Sequence, residues 1–281
     1  MRDYVILDVF TRRVLEGNPV AVFLDGSGLD TATMQRTARE LNLSETVFLC
    51  EAGEGGADAA VRIFTPGAEL PFAGHPVLGT AFVVGERSGA SEVVLACGAG
   101  PVRIVLEREG GEIVYGEMEQ PVPAVGDAPD VEALLAALGV KASQLPVSAW
   151  RNGPTHVYVQ LDSSQAVDAL APDMGALARI LDGGVSCYAV EDSTRVHARV
   201  FVPGLGVPED PATGSAAGPL AVHLAMHGAV GWGEQIEIHQ GMAMGRPSLL
   251  RARAFGGPER IERVLVGGGA VRVAEGRYRL S

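Results

Sequence analysis

RIFTPGAELPFAGHPVLGTA, from Arg62 to Ala81, and RVFVPGLGVPEDPATGSAAGPLA, from Arg199 to Ala221, are two versions of one passage. Arg62 and Arg199 stand 137 residues apart, close to half of a 281-residue chain. Beyond them, ELPFAGH (Glu69 to His75) and EDPATGS (Glu209 to Ser215) share Glu, Pro and Gly at a separation of 140, which implies a three-residue loop insertion. Upstream, GNPVAVF (Gly17 to Phe23) is echoed by NGPTHVY (Asn152 to Tyr158) at a separation of 135. Three echoes in one order predict two copies of a single α/β unit. The first copy spans residues 1–118 and the second 131–270. Between them EQPVPAVGDAPD, residues 119–130, carries three prolines and reads as a linker. The segment 271–281 alternates like a strand outside both repeats and is expected to return to the first half.

Each passage ends in an apolar helix. Gly74 and Pro76 mark a helix start near His75, and VLGTAFVV carries it to Gly85 with no polar side. Its counterpart, AAGPLAVHLAM from Ala216 to Met226, is nearly as apolar, and Pro219 predicts a later start for the regular helix. A third helix, capped by Asp30 or Thr31, runs to about Leu41 with Met34, Ala38 and Leu41 on one face. Around these the first half reads as seven short strands: YVILDVF, AVFL, TVFLC, VRIFT, VVLAC, VRIVLE and EIVYGEM. A helix without a solvent face needs cover on all sides. The expected fold is therefore α+β, two pseudo-symmetric halves, each a curved sheet or barrel wrapped around a central apolar helix.

Composition narrows the function. A net charge of -12 with no basic run opposes nucleic acid and anionic membrane surfaces. No apolar run approaches the roughly 18 residues that span a bilayer, and MRDYVILDVF lacks the apolar stretch of an export signal. Cys50, Cys97 and Cys187 are odd in number and never form CxxC, so they read as thiols of a reducing cytoplasm. His223 and His227 have helical i, i+4 spacing but lack the glutamate of HExxH and a third ligand, so no metal is expected. CGAG at Cys97 and GGGA at Gly267 do not complete GxGxxG, no GxxxxGK[ST] occurs, and GSAAG from Gly214 is not GxSxG. No cofactor is expected.

What remains is a carboxylate site. Two helix starts related by the repeat, around Gly74 and Pro76 and around Gly214 and Ser215, offer free N–H groups and positive dipole ends to an anion. The same Gly and Pro residues also serve as ordinary turn punctuation. His75 sits at the first helix start, where the dipole favours neutral imidazole, and it reads equally as a relay or a structural residue. Asp210 reads as acid, base or cap. Glu45 shares a strand face with Leu43, Val47 and Leu49, so it is either a buried acid of raised pKa or a solvated strand start.

Together EGNPVAVF, ARELNLSETVF, RIFTPGAELPFAGHPVLGTA, EDPATGSAAGPLAVHL and QGMAMGRPS resemble the phenazine biosynthesis PhzF-like isomerase family over nearly the whole chain. The resemblance implies the diaminopimelate epimerase-like fold, a cleft between the halves, a homodimer, and a cofactor-independent proton shift on a small carboxylate. By it the glutamate of SET, Glu45, is the principal acid/base, and His75, Asp210 and Ser215 line the site with Gly74, Pro76 and Gly214. Two alternatives stay open: an epimerase or racemase of a small amino or hydroxy acid with Glu45 and Asp210 as opposed bases, and a binding protein without turnover. Racemases of this fold place a cysteine at each facing turn. ELPFAGHP and EDPATGSA have none, although Cys187 lies in the segment matching LSETVF.

Overall fold

The computed structural model describes residues 1–53 and 55–280. The first half contributes β1 (Arg2–Val9), β2 (Asn18–Phe23), β3 (Glu45–Cys50), β4 (Ala59–Phe64), β5 (Glu69–Leu70), β6 (Glu92–Cys97), β7 (Gly100–Glu109) and β8 (Glu112–Gln120). After β9 (Ala124–Val125) come β10 (Ser148–Arg151), β11 (Thr155–Gln160), β12 (Gly184–Val190), β13 (Arg195–Val202), β14 (Val207–Asp210), β15 (Gln235–Gln240), β16 (Ser248–Gly257) and β17 (Arg260–Gly268). The pairing pattern is the same twice. β2 runs parallel to β3 as β11 does to β12, and β4 parallel to β6 as β13 does to β15, while the other neighbours in each half are antiparallel. β8 pairs with β17, which joins the halves into one 18-stranded sheet. The last strand, β18 (Ala270–Tyr278), pairs with β1, and β9 pairs with β10. Within residues 119–130, Glu119 and Gln120 finish β8 and Ala124–Val125 forms β9, so the three prolines interrupt strand structure without abolishing it.

Helix α1 (Thr31–Leu41) starts where Asp30 accepts from the Thr33 N–H. It lays Met34 and Ala38 on Phe23, Phe48 and Phe64, which point outward from β2, β3 and β4. The opposite faces of those strands send Val20, Val22, Val47 and Ile63 inward against α2 (Gly74–Ser88). Strands buried on both faces read as continuous apolar runs, as these do. In the second half α3 (Val131–Leu138), α4 (Ser164–Asp168) and α5 (Met174–Ile180) cover the outer face, and α6 (Gly214–Met226) fills the inside. From Gly74 to Val83, and from Gly214 to Ala225, every residue is buried. Among the described residues no helix is long and apolar enough to cross a membrane.

Two helix boundaries differ from the sequence reading. α2 passes Gly85 and ends at Ser88, where Gly89 takes the left-handed conformation at φ 76°. Gly85 is glycine for packing, since a Cβ there would collide with Leu106 Cδ1. α6 starts at Gly214 despite Pro219, because Ala216 and Ala217 both donate to the Thr213 carbonyl at 3.0 and 3.1 Å and fix the first turn. Pro219 removes only the bond to Ser215.

The repeated arginine and glutamate also match. Arg62 makes a two-pronged ion pair with Glu69 at 2.7 and 2.6 Å, and Arg199 does so with Glu209 at 2.9 and 2.8 Å. Each pair braces the hairpin that delivers the chain to α2 or α6. The two helices then meet at their first residues. A Cβ on Gly74 would lie 2.6 Å from the Gly214 carbonyl carbon, and one on Gly214 would lie 2.9 Å from Gly74 Cα. Backbone touches backbone there, so only glycine fits at either position.

Gly74→Ala is therefore expected to destabilise the chain by about 1–3 kcal/mol or more, the usual cost of overpacking. Gly257→Ala, where nothing lies within 4 Å, is the control. Urea unfolding with equal midpoints for the two variants would refute the contact.

Candidate active site

The crossing of α2 and α6 gathers residues from both halves. Neither helix has a side-chain cap, so first-turn N–H groups of each are left for other acceptors. Pro76 is the third residue of α2, where the missing N–H costs nothing. Glu45 opens β3, Asp210 closes β14, and His75 and Ser215 are the second residues of α2 and α6. Glu45, Asp210 and Ser215 line a cavity of about 30 Å³, together with His156, Thr213, Thr65 and an apolar rim that includes Leu70, Ala73, Pro154, Val202 and Val207.

Of the two environments the sequence left open, the structure gives Glu45 the buried one. It stands at a strand start, yet its side chain is only 15% exposed, and burial followed by the charge of Asp210 raises its pKa well above 4.5. Oε2 has no hydrogen-bond partner among the described residues and lies 3.2 Å from His75 Nε2. His75 is pushed down to about 3 by burial, which outweighs a hydrogen bond to the Pro19 carbonyl. The pair is thus an acid that keeps its proton beside an imidazole that does not take one.

Asp210 has a different environment. Its carboxylate accepts from Thr213 Oγ1 at 2.7 Å, Asn18 Nδ2 at 2.8 Å and Ser44 Oγ at 3.2 Å. Burial raises its pKa to about 6 while these three donors hold it down. Two neighbouring carboxyls do not both ionise, and the one with the donors keeps the charge. Asp210 is the anion and Glu45 the proton holder. Asn18 Nδ2 also donates to the Ala212 carbonyl at 2.9 Å and lies 3.2 Å from His75 Nδ1. Gln240 fixes the turn from the other side, donating to the Asp210 carbonyl at 2.7 Å and accepting from the Thr213 N–H at 3.2 Å.

The two halves are not chemically symmetric. Val20 sits opposite Glu45 in the β2–β3 register, and His156 sits opposite Gly184 in the β11–β12 register. Val20 faces its inner core, and so does Tyr158, two residues from His156, so His156 is the counterpart of Val20. The echo at a separation of 135 is thus one residue out along the strand. Glu45 has a glycine, Gly184, as its counterpart, and Asp210 has Leu70. Cys187 corresponds to Phe48 and faces the outer layer, fully buried, its thiol pushed up to about 12. It does not reach the cleft.

Asn18, Ser44, Thr213 and His156 complete the constellation and were not singled out from the sequence. The first three lie inside GNPVAVF, LSETVF and DPATGS, next to residues that were. His156 gave only a lone histidine in an apolar strand. His223 and His227 meet edge to face with ring centroids 4.8 Å apart, and His223 is hydrogen-bonded to Ser148. Among the described residues no group of three His, Cys, Asp or Glu could hold a metal.

A family profile described as "Phenazine biosynthesis-like protein" matches residues 7–276. The chain is 48% identical over 277 residues to the trans-2,3-dihydro-3-hydroxyanthranilate isomerase of Pseudomonas aeruginosa, covering 99% of each. Among solved structures it superposes on a phenazine biosynthesis protein of the PhzF family from Bacillus anthracis with a TM-score of 0.85 at 25% identity, covering 99% of both chains. A probable proline racemase from Agrobacterium radiobacter shares the fold, with a TM-score of 0.73 at 13% identity over 100% of this chain and 94% of that one.

A raised carboxyl pKa also sets a stability signature. The contribution of Glu45 is fully present below its ordinary value of 4.5 and is lost as pH rises through its folded value. Glu45→Gln mimics the protonated acid. It is expected to melt with wild type near pH 4 and above it at pH 8, and a lower Tm at pH 8 would show that the carboxylate form is the one the fold favours.

Proposed function

The chain belongs to the phenazine biosynthesis-like family and is an isomerase, and on that premise we propose that it isomerises trans-2,3-dihydro-3-hydroxyanthranilate without a cofactor, with Glu45 as the proton carrier. The observation that carries this reading is the carboxyl of Glu45, buried at the cavity, held protonated beside ionised Asp210 and within 3.2 Å of neutral His75. An acid poised this way donates its proton to one carbon, and the carboxylate left behind removes a proton from another. Proton count is conserved, and a single carrier confines both transfers to one face of the ring. The first-turn N–H groups at Gly74 and His75, and at Gly214 and Ser215, with the two dipole ends, suit the substrate carboxylate. Leu70, Val202 and Val207 suit the apolar edge of a carbocycle. A cavity of about 30 Å³ is far below the roughly 300 Å³ of small-molecule sites, so binding has to widen it.

Epimerisation would need a second base facing Glu45. Gly184 stands at the matching place, and Asp210 is committed to three donors. The family resemblance also supports a cytoplasmic homodimer, which sedimentation would report as twice the 29.2 kDa chain mass.

Glu45→Gln is expected to lower kcat by about 10²- to 10⁴-fold with the fold intact, the usual contribution of a positioned acid/base. In deuterated water, wild type should place label on a carbon that was not the proton source. Label confined to one inverted carbon would instead identify an epimerase.

The charge of Asp210 raises the Glu45 pKa, so removing it lets that pKa fall. Asp210→Asn should therefore move the alkaline limb of kcat/KM to lower pH. An unmoved or higher limb would remove Glu45 as the titrating acid.

A further inference from the structure

His156 is a buried histidine of the second half whose counterpart in the first is Val20, and it borders the cavity beside Ser215. Its Nε2 lies 3.1 Å from Ser215 Oγ. Its other nitrogen has no hydrogen-bond partner among the described residues. That edge of the ring packs on Gly184, where a Cβ would come within 2.7 Å of Nδ1. That glycine face, with Val202 Cγ1 at 2.5 Å from the same Cβ, offers Nδ1 no acceptor for a proton, which suits a lone pair there.

Burial pushes His156 down to about 4, so the ring is neutral and carries one proton. An orphaned buried N–H is rarer than an orphaned acceptor, which places that proton on Nε2, directed at Ser215. Ser215 Oγ then accepts from His156 and its own hydrogen is free to point elsewhere. Ser215 lines the cavity at the start of α6, where the dipole end also favours an acceptor oxygen.

We propose that His156 is a positioning residue that locks the Ser215 hydroxyl as a hydrogen-bond donor to an acceptor oxygen of the substrate. The inference rests on the isomerase reading of the cleft for its substrate, but the orientation itself is a property of the free protein. Without His156 the hydroxyl rotates freely and spends part of its time presenting a lone pair to an oxygen it should bind. The same exchange explains the asymmetry of the repeat. The first half has Val20 and His75 where the second has His156 and Ser215, so the imidazole has moved from the helix to the strand behind it.

Two measurements test this. In the full chain labelled with ¹⁵N-histidine, NMR should show His156, assigned by its loss in His156→Gln, as the neutral Nε2–H tautomer at pH 6 to 8. An Nδ1–H tautomer or an imidazolium there would overturn the proposal, whatever the substrate proves to be. With trans-2,3-dihydro-3-hydroxyanthranilate, His156→Leu and Ser215→Ala should each lower kcat/KM by about 10- to 100-fold, the range for a hydrogen bond to a charged group. The double variant should be no worse than Ser215→Ala alone, and His156→Gln, whose amide keeps a donor near Nε2, should recover most of the loss. Multiplying losses, or a glutamine variant as poor as leucine at equal Tm, would reduce His156 to a core residue. A wild type inert on this compound sinks the functional reading instead, and the tautomer still decides the proposal.

Discussion

The contact between Gly74 and Gly214 is the constraint from which the rest of the molecule follows. Two helices buried from their first residues, Gly74 to Val83 and Gly214 to Ala225, cannot start in solvent, so their starts are brought to the one place where the halves meet. Any side chain at that point would separate them. Once the backbones touch, two sets of unused N–H groups and two positive dipole ends converge on one small volume. The sheet then has to close around both helices, which the β8–β17 pairing and the return of β18 to β1 achieve.

Electrostatics at the crossing is set by unequal solvation of two acids. Both carboxyls are raised by burial, yet Asp210 has three donors and Glu45 has none among the described residues. One proton shared by such a pair settles on the acid that lacks donors. The network around Asp210 therefore does more than hold a side chain, because each donor that stabilises its charge also keeps Glu45 protonated. In the mechanism proposed above, Asn18, Ser44 and Thr213 would act through Asp210, to which each donates a hydrogen bond.

Much of this was legible in the sequence, for identifiable reasons. The repeat was visible because the bracing pairs Arg62–Glu69 and Arg199–Glu209 and the touching glycines make matching contacts in both copies. The family was visible because its motifs coincide with the turns that build the site. Helix ends were less legible: Gly85 looked like a stop and is a packing glycine, while Pro219 looked like a delay and is absorbed by a first turn fixed at Thr213. His156 was not legible, since its meaning depends on a strand register one residue away from the sequence echo.

Duplication gives a symmetric scaffold, and the one-carrier proton shift proposed for this cleft requires that symmetry to be broken. A second acid at Gly184 would create opposed bases and the chemistry of a racemase. Here Val202 and His156 crowd the space a side chain would need, at 2.5 and 2.7 Å from a Cβ. Leu70 likewise replaces the charge of Asp210 in the first half with an apolar wall of the cavity. The substitutions are complementary. One half keeps the acid and the imidazole beside it, and the other keeps the anion and the hydroxyl. On the proposed roles of these residues, the cleft would present a proton on one side and the Ser215 hydroxyl on the other, an arrangement suited to moving a proton along one face of a ring rather than inverting a single carbon.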